Sequence, residues 1–378
     1  MIEGICLVEC DYCWKIEDLK SGETSDRILK SASEWSITEF ESIVKAPLDI
    51  KIKPKYLEVS FSNTCQFKCS YCSSNFSSSW AEEIEKFGEY PNKIGSMTLK
   101  ILKEEDSIYV KAFWDWWPAL KTGLHTFRIT GGEPLLSPST FKVMEELLLH
   151  PEPNLSLAVN TNLGAPPVLI EKFIALVRRI LSEKAVKKFE VFTSVDTYGP
   201  QAEYIRHGLK HEVFWNNIEK ILQISDNSRI NIMCTFNALS VDSFIPFLQK
   251  ILDMNAKFRN SKRVLPIYVD ISYLRDPDYQ TVRILPQEYH KKMERIVQFI
   301  QDNQWDKKSE NMLFLEDQYL KAKRILEWMR LPMGSEERRI LQRRFHSFFS
   351  EHDRRRNTSF VAVFPELAGF WKECEMQC

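Results

Sequence analysis

The chain has 378 residues, 44% hydrophobic and 27% charged, with a formal net charge of −1. That length can bury a sizeable core, and the near-neutral balance excludes a global pull toward nucleic acid or an anionic membrane. No run of about 18 apolar residues occurs, and the N-terminus "MIEGICLVECDYCWKIED" lacks a basic segment followed by an apolar one, so neither membrane spanning nor export is expected and the chain reads as cytoplasmic.

Residues 1–52 are polar, cysteine-bearing and weakly periodic, and read as an N-terminal appendage. Residues 53–304 then alternate β-rich runs with amphipathic stretches. The strand candidates are "YLEVSFSN" (56–63), "HTFRITGG" (125–132), "LSLAVNTN" (155–162), "FEVFTSVD" (189–196), "INIMCTFN" (230–237) and "PIYVDISYL" (266–274). Helical spacing of apolar residues predicts helices over 97–118, 138–149, 166–184, 211–224, 241–257 and 287–303. Alternating β and α units imply right-handed crossovers and a parallel sheet, and six units are too few to close an eight-stranded barrel. The expectation is an α/β chain, an open partial barrel or a doubly wound sheet. Residues 305–378 form a helical, arginine-rich C-terminal extension and tail. Each strand starts apolar and ends in Ser, Thr, Asn, Asp or Gly, which puts the polar groups at the carboxyl edge, where parallel sheets hold ligands.

Nine cysteines in a reducing compartment are not expected to form disulfides, and the two tight groups Cys6, Cys10, Cys13 and Cys65, Cys69, Cys72 read as metal or cluster ligands. Cys65, Cys69 and Cys72 stand at C-x3-C-x2-C spacing on the loop leaving the first strand, with no fourth cysteine until Cys234. Three thiolates can hold three corners of a four-iron cluster, whereas a structural zinc wants four ligands. The missing ligand leaves one position open to a small molecule.

This loop, followed on the second strand by "GGEP" (Gly131, Gly132, Glu133, Pro134), resembles the signature of the radical S-adenosylmethionine (SAM) superfamily. The resemblance implies a partial (β/α)6 TIM-like barrel, a 4Fe–4S cluster on Cys65, Cys69 and Cys72, and SAM on its open iron. By the same resemblance Tyr71 lies near the adenine, the "GGEP" residues meet the SAM amino group, and Ser194 and Asp196 contact the ribose or methionine part. Arg206 of "YIRHG" pairs with the SAM carboxylate. Asn160 and Asn162 of strand three face the same cavity, as do Thr235 and Asn237 of strand five, and which touch SAM and which substrate stays open. The implied chemistry is reductive cleavage of SAM to methionine and a 5′-deoxyadenosyl radical that abstracts hydrogen, with a donor such as flavodoxin or ferredoxin supplying the electron.

"CLVECDYCWKIEDLKSGETSDR" resembles the SPASM/twitch segment, in which cysteines outside the barrel hold an auxiliary iron–sulfur cluster. Cys6, Cys10 and Cys13 repeat the spacing, and Cys374 or Cys378 of a folded-back tail could complete four ligands; zinc and unligated thiols are the alternatives there. Oxidation or crosslinking of a peptide or protein side chain is the leading expectation for the reaction. The runner-up is a dehydrogenase or epimerase of an aminosugar, aminocyclitol or nucleotide-linked sugar. A zinc module binding RNA or a partner without catalysis is the third. Blander readings hold elsewhere: Cys234 is core, the run "FWDWW" (113–117) packs two or three aromatics on the sheet, and "ERRILQRRFH" with "DRRR" is a solvated helix face before it is an anion grip.

Overall fold

The computed structural model describes residues 13, 14, 17, 25–31, 34–47, 50, 53–91, 104–226, 228–261, 263–304 and 314–378. Among them, six parallel strands form one sheet: β1 (Tyr56–Ser60), β2 (Thr126–Thr130), β3 (Glu152–Asn160), β4 (Val186–Ser194), β5 (Ile230–Phe236) and β6 (Ile267–Tyr273). Their spatial order is their chain order. A doubly wound sheet reverses direction at a switch point and carries helices on both faces; a strictly sequential order winds one way and keeps its helices on one face. The strand order therefore selects the partial (β/α)6 barrel over the doubly wound alternative.

Burial along the strands shows why. In β5, Ile230, Ile232, Cys234 and Phe236 are buried while Asn231, Met233 and Thr235 between them are only half-buried. The buried set faces the helices, as Phe236 shows by meeting Phe244 of the following helix (Phe244–Phe258) edge-on at 4.8 Å. The other set faces the concave side. There Arg128 of β2 reaches the Met233 sulfur of β5 at 3.3 Å, across three strand spacings that would amount to roughly 14 Å in a flat sheet. Contact across that span reflects the curl of the sheet.

Five of the expected helices come within three residues at each end: Pro138–Leu149, Pro167–Ser182, His211–Leu222, Phe244–Phe258 and, after β6, Glu288–Asp302. The helix expected over 97–118 spans Ile108–Lys121 after a short turn at Glu104–Asp106, and 97–103 lie outside the described residues. A helix the sequence reading passed over, Ser78–Phe87, is capped by Ser77, whose hydroxyl accepts from the Trp80 amide. The C-terminal part is helical, with Glu316–Arg330 and Ser335–Arg356 as its long members. Phe345, Phe348 and Phe349 of the latter are fully buried. The Phe348 ring meets Tyr90 at 4.9 Å and Tyr279 at 5.4 Å, so this helix packs directly against the segments flanking the cysteine loop. No described helix is long and apolar enough to cross a membrane.

Candidate functional site

The loop leaving β1 carries Cys65, Cys69 and Cys72 to the carboxyl edge of the sheet, and the three line one cavity of about 200 Å³. Its wall also includes Tyr71, Gly131, Gly132, Asn160, Asn162, Ser194 and Arg206. Seven of the ten residues expected to meet SAM thus share a cavity with the three thiols, although they come from the loops of four strands. Glu133, Pro134 and Asp196 do not line it. They are buried behind the wall, and the two carboxylates are consumed there. Glu133 accepts from the Leu135 and Asn162 amides and the Thr161 hydroxyl, at 3.0, 2.6 and 2.7 Å. Burial pushes its carboxyl up to about 7 against these donors. Asp196 accepts from Arg206, Tyr71 and the Thr235 amide.

The glycines of "GGEP" are required by close approach. A Cβ on Gly132 would sit 2.4 Å from the Thr64 carbonyl oxygen, and one on Gly131, whose φ is +121°, 2.6 Å from the Ser62 carbonyl. The β2 loop thereby lies flush against the cysteine loop, joined to it by Gly132 and Glu133 amides that donate to the Ser62 and Thr64 carbonyls. Two sulfurs have donors beside them: Asn162 Nδ2 lies 3.9 Å from Cys65 Sγ, and Arg206 Nη1 lies 3.8 Å from Cys69 Sγ. Donors of this kind orient and tune ligating thiolates.

Burial pushes the Cys65 thiol up to about 11 and the Cys69 thiol to about 12. Thiols so desolvated become good ligands only when a cationic centre takes the place of their protons. Among the described residues no group of three or more His, Cys, Asp or Glu side chains closes on a point suited to a single metal ion. A four-iron cluster is several ångström across and holds its cysteines further apart than one zinc would. A larger cavity, of about 660 Å³, lies beside Trp114, Lys111 and Lys142; among its described lining residues there is no thiol, so size does not mark the site.

Arg206, expected on the SAM carboxylate, lines the cavity and has two of its N–H groups on Asp196, at 2.8 and 3.0 Å, with Nη1 toward Cys69. Asn237 does not face the cavity: it is fully buried and folds onto its own turn, donating to the Thr235 carbonyl and accepting from the Leu239 amide. Local backbone competes for an Asn side chain wherever a strand ends. Cys234 is core, as expected. Phe67 and Phe76, which the sequence reading did not single out, also line the cavity.

Cys6 and Cys10 lie outside the described residues. Cys13 is half-buried. Nearby, Glu17 accepts from Ser25 and from Arg27, whose guanidinium stacks over Trp14 at 3.9 Å. Cys374 is buried beneath the C-terminal aromatic cluster, and Cys378 lies with its sulfur 3.5 Å from His346 Nδ1.

No protein-family model matches the chain. Among curated proteins it is similar to the GTP 3′,8-cyclase of Sulfurovum sp. (strain NBC37-1), 24% identical over 209 residues, 54% of this chain and 53% of that one. It is also similar to the GTP 3′,8-cyclase of Campylobacter curvus (strain 525.92), 25% identical over 225 residues, 58% of each. The chain spans about half the length of these curated relatives. Among solved structures, Streptococcus suis SuiB bound to S-adenosylmethionine superposes with a TM-score of 0.42 at 14% identity, covering 80% of this chain and 59% of that one. A likeness at that level says nothing about activity.

Proposed function

We propose that the chain is a radical SAM enzyme. The observation that carries this reading is the convergence of three thiols, with no fourth among the described residues, on one cavity shared with the glycine pair of the next strand and with Asn160, Asn162, Ser194 and Arg206. Cys65, Cys69 and Cys72 would hold a 4Fe–4S cluster. When bound, the cluster and SAM together supply one-electron cleavage of SAM and hydrogen abstraction from substrate. The chain's own residues do the rest. Asn162 and Arg206 give N–H groups to two sulfurs, and Gly131 and Gly132, with no Cβ, let the β2 loop lie directly against the cysteine loop. Ser194 and Asn160, in the wall of the same cavity, are polar groups that would orient SAM or substrate.

For the substrate, the relatives named GTP 3′,8-cyclase favour the small-molecule reading over modification of a peptide or protein side chain. The concave face is consistent with a compact polar substrate: Arg128 stacks on Phe192 at 4.0 Å and donates to Asn160 at 2.8 Å, both facing the barrel interior. An auxiliary cluster involving Cys13 belongs to the same proposal, as do an external low-potential electron donor and a division into residues 1–52, 53–304 and 305–378.

Anaerobic reconstitution with iron and sulfide tests the central assignment. About four irons per chain are expected at this site, lost when Cys65, Cys69 and Cys72 are changed together to Ala, with 5′-deoxyadenosine appearing by mass spectrometry once reductant and SAM are added. A triple variant that keeps its full iron content overturns it. Stimulation of 5′-deoxyadenosine formation by nucleotides or sugars but not by peptides supports the small-molecule reading, and the reverse restores the peptide one.

A further inference from the structure

The cysteine loop is held from outside the barrel. Its backbone carbonyls from Phe67 to Ser70 each accept a side-chain donor from a different place in the chain. Phe67 takes the Ser77 hydroxyl at 2.7 Å, Lys68 takes Arg356 Nη1 at 3.2 Å, Cys69 takes Trp80 Nε1 at 3.0 Å, and Ser70 takes Gln280 Nε2 at 3.0 Å. Of these, Arg356 comes from the end of the helix Ser335–Arg356, 288 residues away along the chain. Its side chain is only 1% exposed. Besides the Lys68 carbonyl it donates to both oxygens of Glu83, at 3.4 and 3.3 Å, and its guanidinium lies over the Trp80 ring at 4.9 Å. Glu83, itself 2% exposed at the side chain, also receives the Lys68 ammonium and the Tyr90 hydroxyl.

The end of that helix is fixed. Asp353 accepts from the Tyr204 hydroxyl, the Thr358 hydroxyl and the Phe360 amide at 2.8, 2.7 and 2.6 Å, and Asn357 closes the helix in a left-handed conformation. A guanidinium presented from a rigid helix end, with its donors in a fixed fork, holds what it bonds in one geometry.

We infer that Arg356 is a positioning residue for the cluster. Through the Lys68 carbonyl and Glu83 it holds the backbone between Cys65 and Cys72 in its ligating conformation, and so makes the C-terminal extension a working part of the site. The inference rests on the cluster reading of that loop. An alternative would be that Arg356 only helps the extension to pack, in which case its loss would lower global stability without a particular effect on the loop.

Two measurements on the full chain separate these roles, with Arg356→Met, Arg356→Lys and Phe370→Leu compared with the parent. Phe370 is buried against Phe345 in the same C-terminal unit, and its truncation loosens packing without touching the loop. In the iron-free protein, hydrogen exchange of the segment 65–72 is expected to quicken about tenfold in Arg356→Met, less in Arg356→Lys, and not in Phe370→Leu. In the reconstituted protein, release of iron to a chelator is expected to quicken several-fold in the same order. Unchanged exchange of 65–72 in Arg356→Met overturns the inference, and so does faster exchange with iron released at the parental rate. If the parent itself takes up no iron at Cys65, Cys69 and Cys72, the proposed function falls, a result distinct from a parent and an Arg356→Met variant that behave alike.

Discussion

The Arg206 guanidinium makes a two-point contact with the Asp196 carboxylate, Nε on one oxygen at 2.8 Å and Nη2 on the other at 3.0 Å, with the Arg206 side chain 9% exposed and the Asp196 side chain fully buried. Asp196 also takes the Tyr71 hydroxyl and the Thr235 amide, both at 2.8 Å, so one carboxylate ties the cysteine loop, β4, β5 and the segment before the helix His211–Leu222 into one unit. Asp196→Asn removes the counter-charge and offers an N–H where an acceptor is needed. Breaking a buried pair from one side costs about 3–5 kcal/mol, because the remaining charge stays uncompensated. The unfolding free energy of the iron-free Asp196→Asn protein, from a denaturant titration, should fall by that amount; a value within about 1 kcal/mol of the parent would show that the pair is not buried in solution.

Gly132 and Gly369 make a paired test of close approach. A Cβ at Gly132 would meet the Thr64 carbonyl oxygen at 2.4 Å and the Asn63 carbonyl group at 2.7 Å, all backbone atoms with no side-chain freedom to yield. Gly132→Ala should cost about 2 kcal/mol or more by overpacking and reduce iron uptake, since it pushes the β2 loop off the cysteine loop. At Gly369, in the helix Ala368–Glu375, an added Cβ meets nothing within 4 Å. Gly369→Ala should be neutral or stabilising by up to about 1 kcal/mol, through helix propensity. Equal midpoints for the two variants would contradict the packing of the two loops.

What the sequence disclosed and what it hid divide along chain distance. The strands were legible because each carries its own period and its own polar end. The thiols and "GGEP" were legible because their chemistry lies in local spacing. Gln280 and Arg356 were not, because they meet the cysteine loop from 210 and 288 residues away, and no local pattern encodes that meeting. One signal was nevertheless present. Phe345, Phe348, Phe349, His352 and Arg356 fall at helical spacings of three and four, so the buried face of that helix runs straight to Arg356. Reading "DRRR" by charge alone made it a solvated face, whereas Arg354 is the exposed member and Arg355 and Arg356 have side chains only 1% exposed. Asn237 misled in the opposite direction, since a strand-end Asn serves its own turn as readily as a cavity.

The aromatic run 113–117 separates cleanly by face. Trp117 is 2% exposed and its ring meets Phe127 of β2 at 4.9 Å, with Phe113 stacked on the same Phe127 at 5.7 Å, while Trp116 is 45% exposed. Trp117→Ala should cost about 3–5 kcal/mol as a core truncation, and Trp116→Ala should stay within about 0.5 kcal/mol. Thermal unfolding of the iron-free variants distinguishes this from a stacking platform, in which Trp116 would matter for ligand affinity and Trp117 would not dominate stability.

His352 gives the pH dependence a defined source. It is fully buried against Tyr204, Phe348 and Phe349, neither ring nitrogen has a hydrogen-bond partner, and Nδ1 is 3.7 Å from the Asp353 carboxylate, too far to bond. Burial, helped by the Arg356 charge and opposed by Asp353, holds its pKa down to about 4. Between pH 6.5 and 4 the unfolded chain therefore binds a proton that the folded chain refuses, and stability rises with pH across that window. Its contribution is complete above about pH 7 and falls by roughly 3 kcal/mol by pH 4. His207, whose imidazole is also held down to about 4 by burial and by Arg356, acts with the same sign, and Glu83, brought down to about 2 because Arg356, Lys68 and Tyr90 outweigh its burial, acts only at lower pH. His352→Phe keeps the ring and removes the titration. In the iron-free protein its urea midpoint should match or exceed the parent's at pH 7.5, and the gap should widen in the variant's favour as pH falls to 4.5. Parallel curves over that range would mean that His352 is protonated, or partnered, in the folded chain.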